Sequence, residues 1–290
     1  MDEYNKIPFE LLELFGIKKE NLIKIDKVTK VKEIVVPQSS FPVFGCRYSK
    51  KINLVVDKIK DNVKSKKYKK VYLSRRNYYP PYRTYGEAEI EKQFKKNGFK
   101  IIYPEKYSIK EQIAILKDCE FLVGTIGSNM HNAIFCNNNI KTAYLNRTEH
   151  INGVQVTIDL LKDFQATYID VYTKLFTSYG CGVPHLISFN YNLKRFFNDN
   201  NLKYKKKIRK QTELFEFVNA MTINPNVMND VFNIYSDVEL NILNNFRRLL
   251  KKFPRQLPLL EKIKNNFKLC YYIKTGKLSK AKKYYARLYR

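Results

Sequence analysis

The stretch Phe121-Leu-Val-Gly-Thr-Ile-Gly-Ser-Asn-Met-His-Asn-Ala-Ile-Phe135 constrains this chain more than any other. Its apolar opening, Phe121 to Val123, reads as a buried strand. A turn with Gly124 and Gly127 follows, and helix-like sequence resumes over Met130 to Phe135. A strand that turns on glycine into a helix presents unpaired backbone N–H groups at the positive end of the helix dipole, a generic anion site. On spacing alone, Gly127 equally serves a tight turn.

The flanking sequence repeats the alternation. Val71 to Arg76 alternates apolar and polar positions into two arginines, and Gly86 to Asn97 is a helix with Ile90 and Phe94 on one face and Gly98 as its stop. Phe99 to Tyr103 is a strand. Ser108 to Cys119 is a helix opened by a Ser108/Glu111 capping box, with Ile109, Ile113 and Leu116 inward. Lys141 to Asn146 is the next strand. Four strands alternating with three helices make right-handed βαβ units and a parallel sheet. Ligands of such sheets bind beyond the carboxyl ends of the strands. That rim gathers Arg75 and Arg76 from the first strand and Gly124 to Asn129 from the third. Two guanidiniums facing a helix N-terminus suit a diphosphate. The alternative for one of the two arginines is a surface ion pair with Glu87 or Glu105.

The order Leu73-Ser-Arg-Arg76, Tyr85-Gly-Glu87, Asn97-Gly-Phe99, Tyr103-Pro-Glu105, Ser108-Ile-Lys-Glu-Gln112 and Val123-Gly-Thr-Ile-Gly-Ser-Asn-Met-His-Asn132 resembles glycosyltransferase family 61. The resemblance covers roughly residues 60 to 150, and Leu14 to Pro37 more faintly. It implies a GT-B-like fold with a Rossmann-type donor domain. It also implies inverting, metal-independent transfer from a nucleotide sugar, with a UDP sugar the expected donor and a glycan or lipid-linked hydroxyl the acceptor, as in capsule or lipopolysaccharide synthesis. Carried over by position, Arg75, Arg76 and Glu87 are the catalytic candidates, and Gln112, Gly127, Ser128, Asn129, His131 and Asn132 line the donor site. His131 either touches the donor or serves a capping or packing role. Many members have Asn where Gly86 stands and His where Ile126 stands, so those side chains are missing here.

The formal charge of +27 points to acidic partners, either phosphate-rich ligands, anionic lipid or nucleic acid, unless biased codon usage explains the lysines. Residues 247 to 290 hold fifteen Lys or Arg against the single acid Glu261, a net of +14. The five cysteines are scattered without zinc or redox spacing, which fits a reducing compartment, with Cys119 and Cys136 as small core residues. No signal-peptide pattern opens the sequence and no apolar run approaches a membrane span. The expectation is a cytoplasmic protein, peripheral at the inner face of the membrane through its basic end.

Three segments follow. Residues 1–60 are a shortened N-terminal, acceptor-side region with a linking helix. It reads as a helix at Phe9 to Phe15, strand-like Leu22 to Ile25 and Lys32 to Val36, and a helix over Lys51 to Lys64 with Ile52, Val55, Val56 and Ile59 on one face. Its acids, Asp26, Glu33 and Asp57, sit in no motif. Residues 61–176 form the nucleotide-sugar-binding domain, including a helix at Val154 to Phe164 and a fifth strand at Ala166 to Val171. Residues 177–290 are helical and basic, with His185 as a surface histidine, and helices at Tyr191 to Phe197, Gln211 to Met221, Val227 to Phe253 and Leu257 to Tyr289. No Asp-x-Asp, Walker, His-x-x-x-His or Gly-x-Ser-x-Gly pattern occurs, which leaves no metal site and no hydrolase elbow. Two other readings stay open. One is a basic nucleic-acid binder that stacks bases on Tyr271, Tyr272, Tyr284 and Tyr285. The other is an inactive relative serving as a scaffold, or a homo-oligomer subunit.

Overall fold

Short apolar strands separated by amphipathic helices have one economical solution, a parallel sheet covered on both faces, and the computed structural model of the chain shows it. The structure describes residues 6–41, 47–78, 83–172 and 184–205, with Glu213, Glu216, Phe217, Ser279 and Lys280. In chain order the elements are α1 (Lys6–Phe15), α2 (Ile52–Asp61), β1 (Lys70–Leu73), β2 (Thr84–Tyr85), α3 (Glu87–Lys95), β3 (Lys100–Ile102) and α4 (Ile109–Leu116). Then come β4 (Phe121–Thr125), α5 (Ser128–His131), β5 (Lys141–Asn146), α6 (Gly153–Lys162), β6 (Gln165–Asp170), β7 (His185–Leu186) and α7 (Tyr191–Asp199). Two compact units divide the chain: Met1–Asn77, Glu91–Asp170 and Tyr191–Lys205 form the first, and Tyr78–Ile90, Val171–Asn190 and Lys206–Arg290 the second.

The first unit holds a five-stranded sheet in the order β3-β1-β4-β5-β6, parallel throughout. The chain runs from β1 outward to β3, then returns past β1 to β4. The direction of winding therefore reverses between β1 and β4, and in open α/β sheets that reversal leaves a crevice at the strands' carboxyl ends. The fold is Rossmann-like.

Alternation along the strands fills two cores. Val71, Leu73 and Leu122 join Ile115, Met130, Ala133, Tyr144 and Ile158 in one cluster, while Val56 and Ile59 of α2 meet Ile113 of α4 and Phe135 in a second. Tyr72 instead meets Phe94 of α3 at 5.1 Å, and Phe94 stacks on Phe99 and on Phe197 of α7. Pairs of this kind contribute about 0.5–1.5 kcal/mol each beyond area burial. Cys119 and Cys136 are buried free thiols, with burial pushing Cys136 well up. The capping box is present in full: Ser108 accepts from the Glu111 N–H, and Glu111 accepts from the Ser108 N–H.

Several expectations need correcting. Leu22–Ile25 and Lys32–Val36 form no strand; Ile23, Ile25, Ile34 and Val36 are exposed, and no described strand lies beside them to complete a ladder. On α2, Val55 faces solvent and only Ile52, Val56 and Ile59 pack inward. The helix expected over Met130 to Phe135 is one α turn at Ser128–His131 that tightens into a 3₁₀ turn at Asn132–Phe135. The helices at Gln211 to Met221, Val227 to Phe253 and Leu257 to Tyr289 lie almost entirely outside the described residues, whereas Tyr191 to Phe197 is the body of α7.

In the second unit, β2 and β7 pair in parallel, Thr84 against His185 and Tyr85 against Leu186. His185 is buried there, not at the surface. The register that buries it joins residues a hundred positions apart. Glu213 accepts from the Gly86 N–H at 2.6 Å and pairs with Arg83 at 3.5 Å. Gly86, at φ +83°, stands where a Cβ would lie 2.1 Å from the Ile187 carbonyl oxygen, which explains glycine there. Among the described residues no helix is long and apolar enough to cross a membrane.

Candidate functional site: the carboxyl rim at β1 and β4

Arg75 leaves the end of β1 and Gly127 follows β4, its hydrogen-bonded neighbour. The two groups meet. A Cβ on Gly127 would stand 2.7 Å from Nη1 of Arg75 and 3.1 Å from its Cζ, so the guanidinium rests on the bare glycine backbone. The same point lies 3.4 Å from Nη2 of Arg147, which follows β5 on the other side of β4. Three consecutive strands of the sheet thus bring two guanidiniums together over one glycine turn. Sequence reasoning named Arg75 and Gly127 but missed Arg147. The signal available was its place directly after the β5 run, equivalent to that of Arg75 after β1.

Asn129 steadies this arrangement. It is 4% exposed, its Oδ1 accepts from Nη1 of Arg75 at 3.1 Å, and its Nδ2 has no hydrogen-bond partner among the described residues. Ser128 is exposed at the start of the turn. His131 ends α5 half-buried beside Arg75. Burial holds its imidazole below the usual histidine range and Arg75 pushes the same way, while a hydrogen bond with Asn152, the N-cap of α6, opposes both. Its Nε2 has no partner among the described residues. Because α5 is a single turn, its dipole is short, and the positive charge of the rim comes chiefly from the guanidiniums.

Arg76 points elsewhere. It pairs with Glu91 of α3 at 3.6 Å, and Glu91 also accepts from the Ser74 hydroxyl at 2.6 Å and the Tyr103 hydroxyl at 3.1 Å. Ser74 in turn accepts from the Arg76 N–H. An ion pair of the kind foreseen for one arginine therefore exists, here with Glu91. Glu87 opens α3 one helical turn earlier and is fully buried.

Gln112 and Asn132 hold each other. Asn132 Nδ2 donates to Gln112 Oε1 at 2.7 Å, and Gln112 Nε2 donates to the carbonyls of Pro104 and Tyr107, both at 3.0 Å. Those carbonyls bracket the 3₁₀ turn Pro104–Lys106 after β3, so the two amides tie that turn to the end of α5. The turn carries Glu105. Burial pushes the Glu105 carboxyl up, while its own turn's backbone, Lys106 and Arg75 pull it down.

The opposite, amino rim carries a cavity of about 300 Å³ lined by Lys69, Asp118, Glu120 and Asn137 to Ile140. Asp118 and Glu120 therefore sit at the end of β4 away from the arginines, and Glu120 is already paired with Lys69 at 2.6 Å. Among the described residues no cluster of three His, Cys, Asp or Glu side chains is placed to hold a metal ion.

The family model described as Glycosyltransferase 61 matches residues 8–143, from α1 into β5. No curated protein and no solved structure matches the chain.

Proposed function

We propose, for a chain whose residues 8–143 are a glycosyltransferase family 61 region, that Arg75, Arg147 and the Gly127 turn hold the diphosphate of a nucleotide-sugar donor. The observation that carries this reading is the convergence of two guanidiniums on a glycine at the sheet's switch point. Arginine binds phosphate oxygens through paired N–H groups, and the bare Gly127 backbone leaves room for the Arg75 guanidinium where a side chain would displace it.

In the reaction, the acceptor hydroxyl oxygen bonds to the anomeric carbon as the bond from that carbon to the diphosphate breaks, inverting the centre. The bonding electron pair leaves with the diphosphate, whose growing charge the two guanidiniums stabilise. The hydroxyl proton passes to a general base. No metal is required, because the arginines supply the charge a cation would bring. Asn129 aims Arg75, Ser128 offers a hydroxyl to the phosphates, and the Gln112–Asn132 pair keeps the rim in register. Arg76 ties the end of β1 to α3 through Glu91. The donor is a UDP sugar and the acceptor a glycan or lipid-linked hydroxyl of a surface polysaccharide. The basic C-terminal segment meets anionic lipid at the inner face of the membrane.

A thermal-shift series with UDP and UDP sugars tests this. A ligand at one hundred times its Kd adds about 2.7 kcal/mol to stability. The expected result is a rise in Tm for the native chain and none for Arg75→Ala, which stays folded. No rise in the native chain, or an equal rise in Arg75→Ala, refutes the site.

A further inference from the structure

We infer that Glu105 reads the ribose of the donor nucleotide, accepting hydrogen bonds from its 2′- and 3′-hydroxyls and so selecting ribonucleoside over deoxyribonucleoside diphosphates. This rests on the diphosphate site proposed above and adds what lies next to it.

Three observations place Glu105 there. The first is topological. β3 is the neighbour of β1 on the side away from β4, and Glu105 stands in the turn directly after β3, at the same carboxyl rim as Arg75 and Gly127. With strands about 4.8 Å apart, a ligand whose diphosphate sits over the β1–β4 crevice reaches the β3 tip with its next group. In a nucleotide that group is the ribose. An acidic side chain at the tip of the strand beside β1 is the usual partner of ribose hydroxyls in dinucleotide-binding sheets.

The second observation is mechanical. The Glu105 turn is fastened on both sides, through the carbonyls of Pro104 and Tyr107, to Gln112, and Gln112 is fastened to Asn132 just beyond the Gly127 turn. The distance between the diphosphate turn and the Glu105 turn is thereby fixed by side-chain amides. The Gln112 Nε2 donors are both spent on these carbonyls, and the turn they hold carries the Glu105 carboxylate.

The third is electrostatic. Residue 105 is exposed, so a ligand reaches it, yet its carboxyl feels both partial burial and the charge of Arg75. A carboxylate offers lone pairs for two hydroxyl donors at once, which matches a vicinal diol and gains nothing from a deoxyribose lacking one of them.

The test is calorimetric titration of the full chain with matched pairs: UDP and 2′-deoxy-UDP, GDP and 2′-deoxy-GDP, CDP and 2′-deoxy-CDP. The native chain should bind the ribo member of its preferred pair about ten- to a hundredfold more tightly, the range for a hydrogen bond to a charged group. Glu105→Ala should lose that preference by weakening only the ribo member. Glu105→Gln, which keeps the shape and one acceptor oxygen, should keep part of it. Equal affinity for both members in the native chain, or equal weakening of both in Glu105→Ala, overturns the inference while the diphosphate site stands, provided Arg75→Ala abolishes binding of both. Failure of every nucleotide to bind the native chain overturns the donor reading and this inference together.

Discussion

Replacing Gly127 by alanine probes the site with a single methyl group. The residue sits at φ +156° and ψ −178°, a region that is nearly exclusive to glycine, so the backbone alone costs about 1–3 kcal/mol. The methyl would stand 2.7 Å from Nη1 of Arg75, and real Cβ contacts are not that short, so the guanidinium must move. Moving it breaks the 3.1 Å bond to Asn129 and withdraws one arm of the proposed diphosphate clamp. Hydrogen bonds to charged groups contribute roughly 1.5–3 kcal/mol, so UDP affinity should fall by at least about tenfold. Urea denaturation reads the stability and calorimetry the affinity. Gly98→Ala is the control, since Gly98 at φ +81° has open space around its Cβ position. It should lose about 1–2 kcal/mol of stability through backbone strain and no affinity. A double-mutant cycle sharpens the argument. In an Arg75→Ala background the Gly127→Ala change should cost less stability than in the native chain, because the group it collides with is gone. Native UDP affinity in Gly127→Ala, or additive stability losses in the cycle, would refute the close approach of these groups as the basis of binding.

Other consequences are open to direct measurement. Arg147→Ala should weaken UDP binding about as much as Arg75→Ala, whereas Arg76→Ala should leave binding near native and lower urea stability by about 0.5–1 kcal/mol, as for a partly exposed pair. Asp159 accepts from the Tyr144 and Tyr168 hydroxyls, both at 2.5 Å, inside the α6 face of the sheet. Tyr144→Phe leaves that buried carboxylate short of a donor, so urea denaturation should show a loss of about 1.5–3 kcal/mol. His131 is held below the usual histidine range by burial, so the unfolded chain binds the proton more readily. Stability from this site is present above the unfolded histidine value near 6.5 and is lost as pH falls through it. His131→Gln should flatten the decline in Tm between pH 7 and 5, and an unchanged slope would contradict the buried neutral imidazole.

How far the fold was legible depends on which facts are local. β4 and β5 announce themselves as short apolar runs because strands buried on both faces need no polar alternation. Ser108 and Glu111 fix the start of α4 within one turn of sequence. Arg75 is legible for the same reason, as the residue a strand delivers to the rim. Arg147 is a different case: its partners depend on β5 lying beside β4, a pairing between segments that share no sequence signal. Glu91 was not foreseen as a partner of Arg76, because it is the packing of α3 against Ser74 and Tyr103 that brings it there. Leu22 to Val36 went the other way. Its β-branched residues suit a strand, but propensity without a neighbouring ladder yields only extended chain. His185 was misjudged because its burial is set by register against Thr84.

The charged rim is assembled between Arg75 and Arg147, a stretch broken only by Tyr78–Ile90 of the second unit. Every side chain of the proposed diphosphate clamp therefore precedes β6 in the chain, and β6 has only to add itself to the edge of β5. Insertions beyond Arg147 would leave the residues of the proposed diphosphate clamp in place.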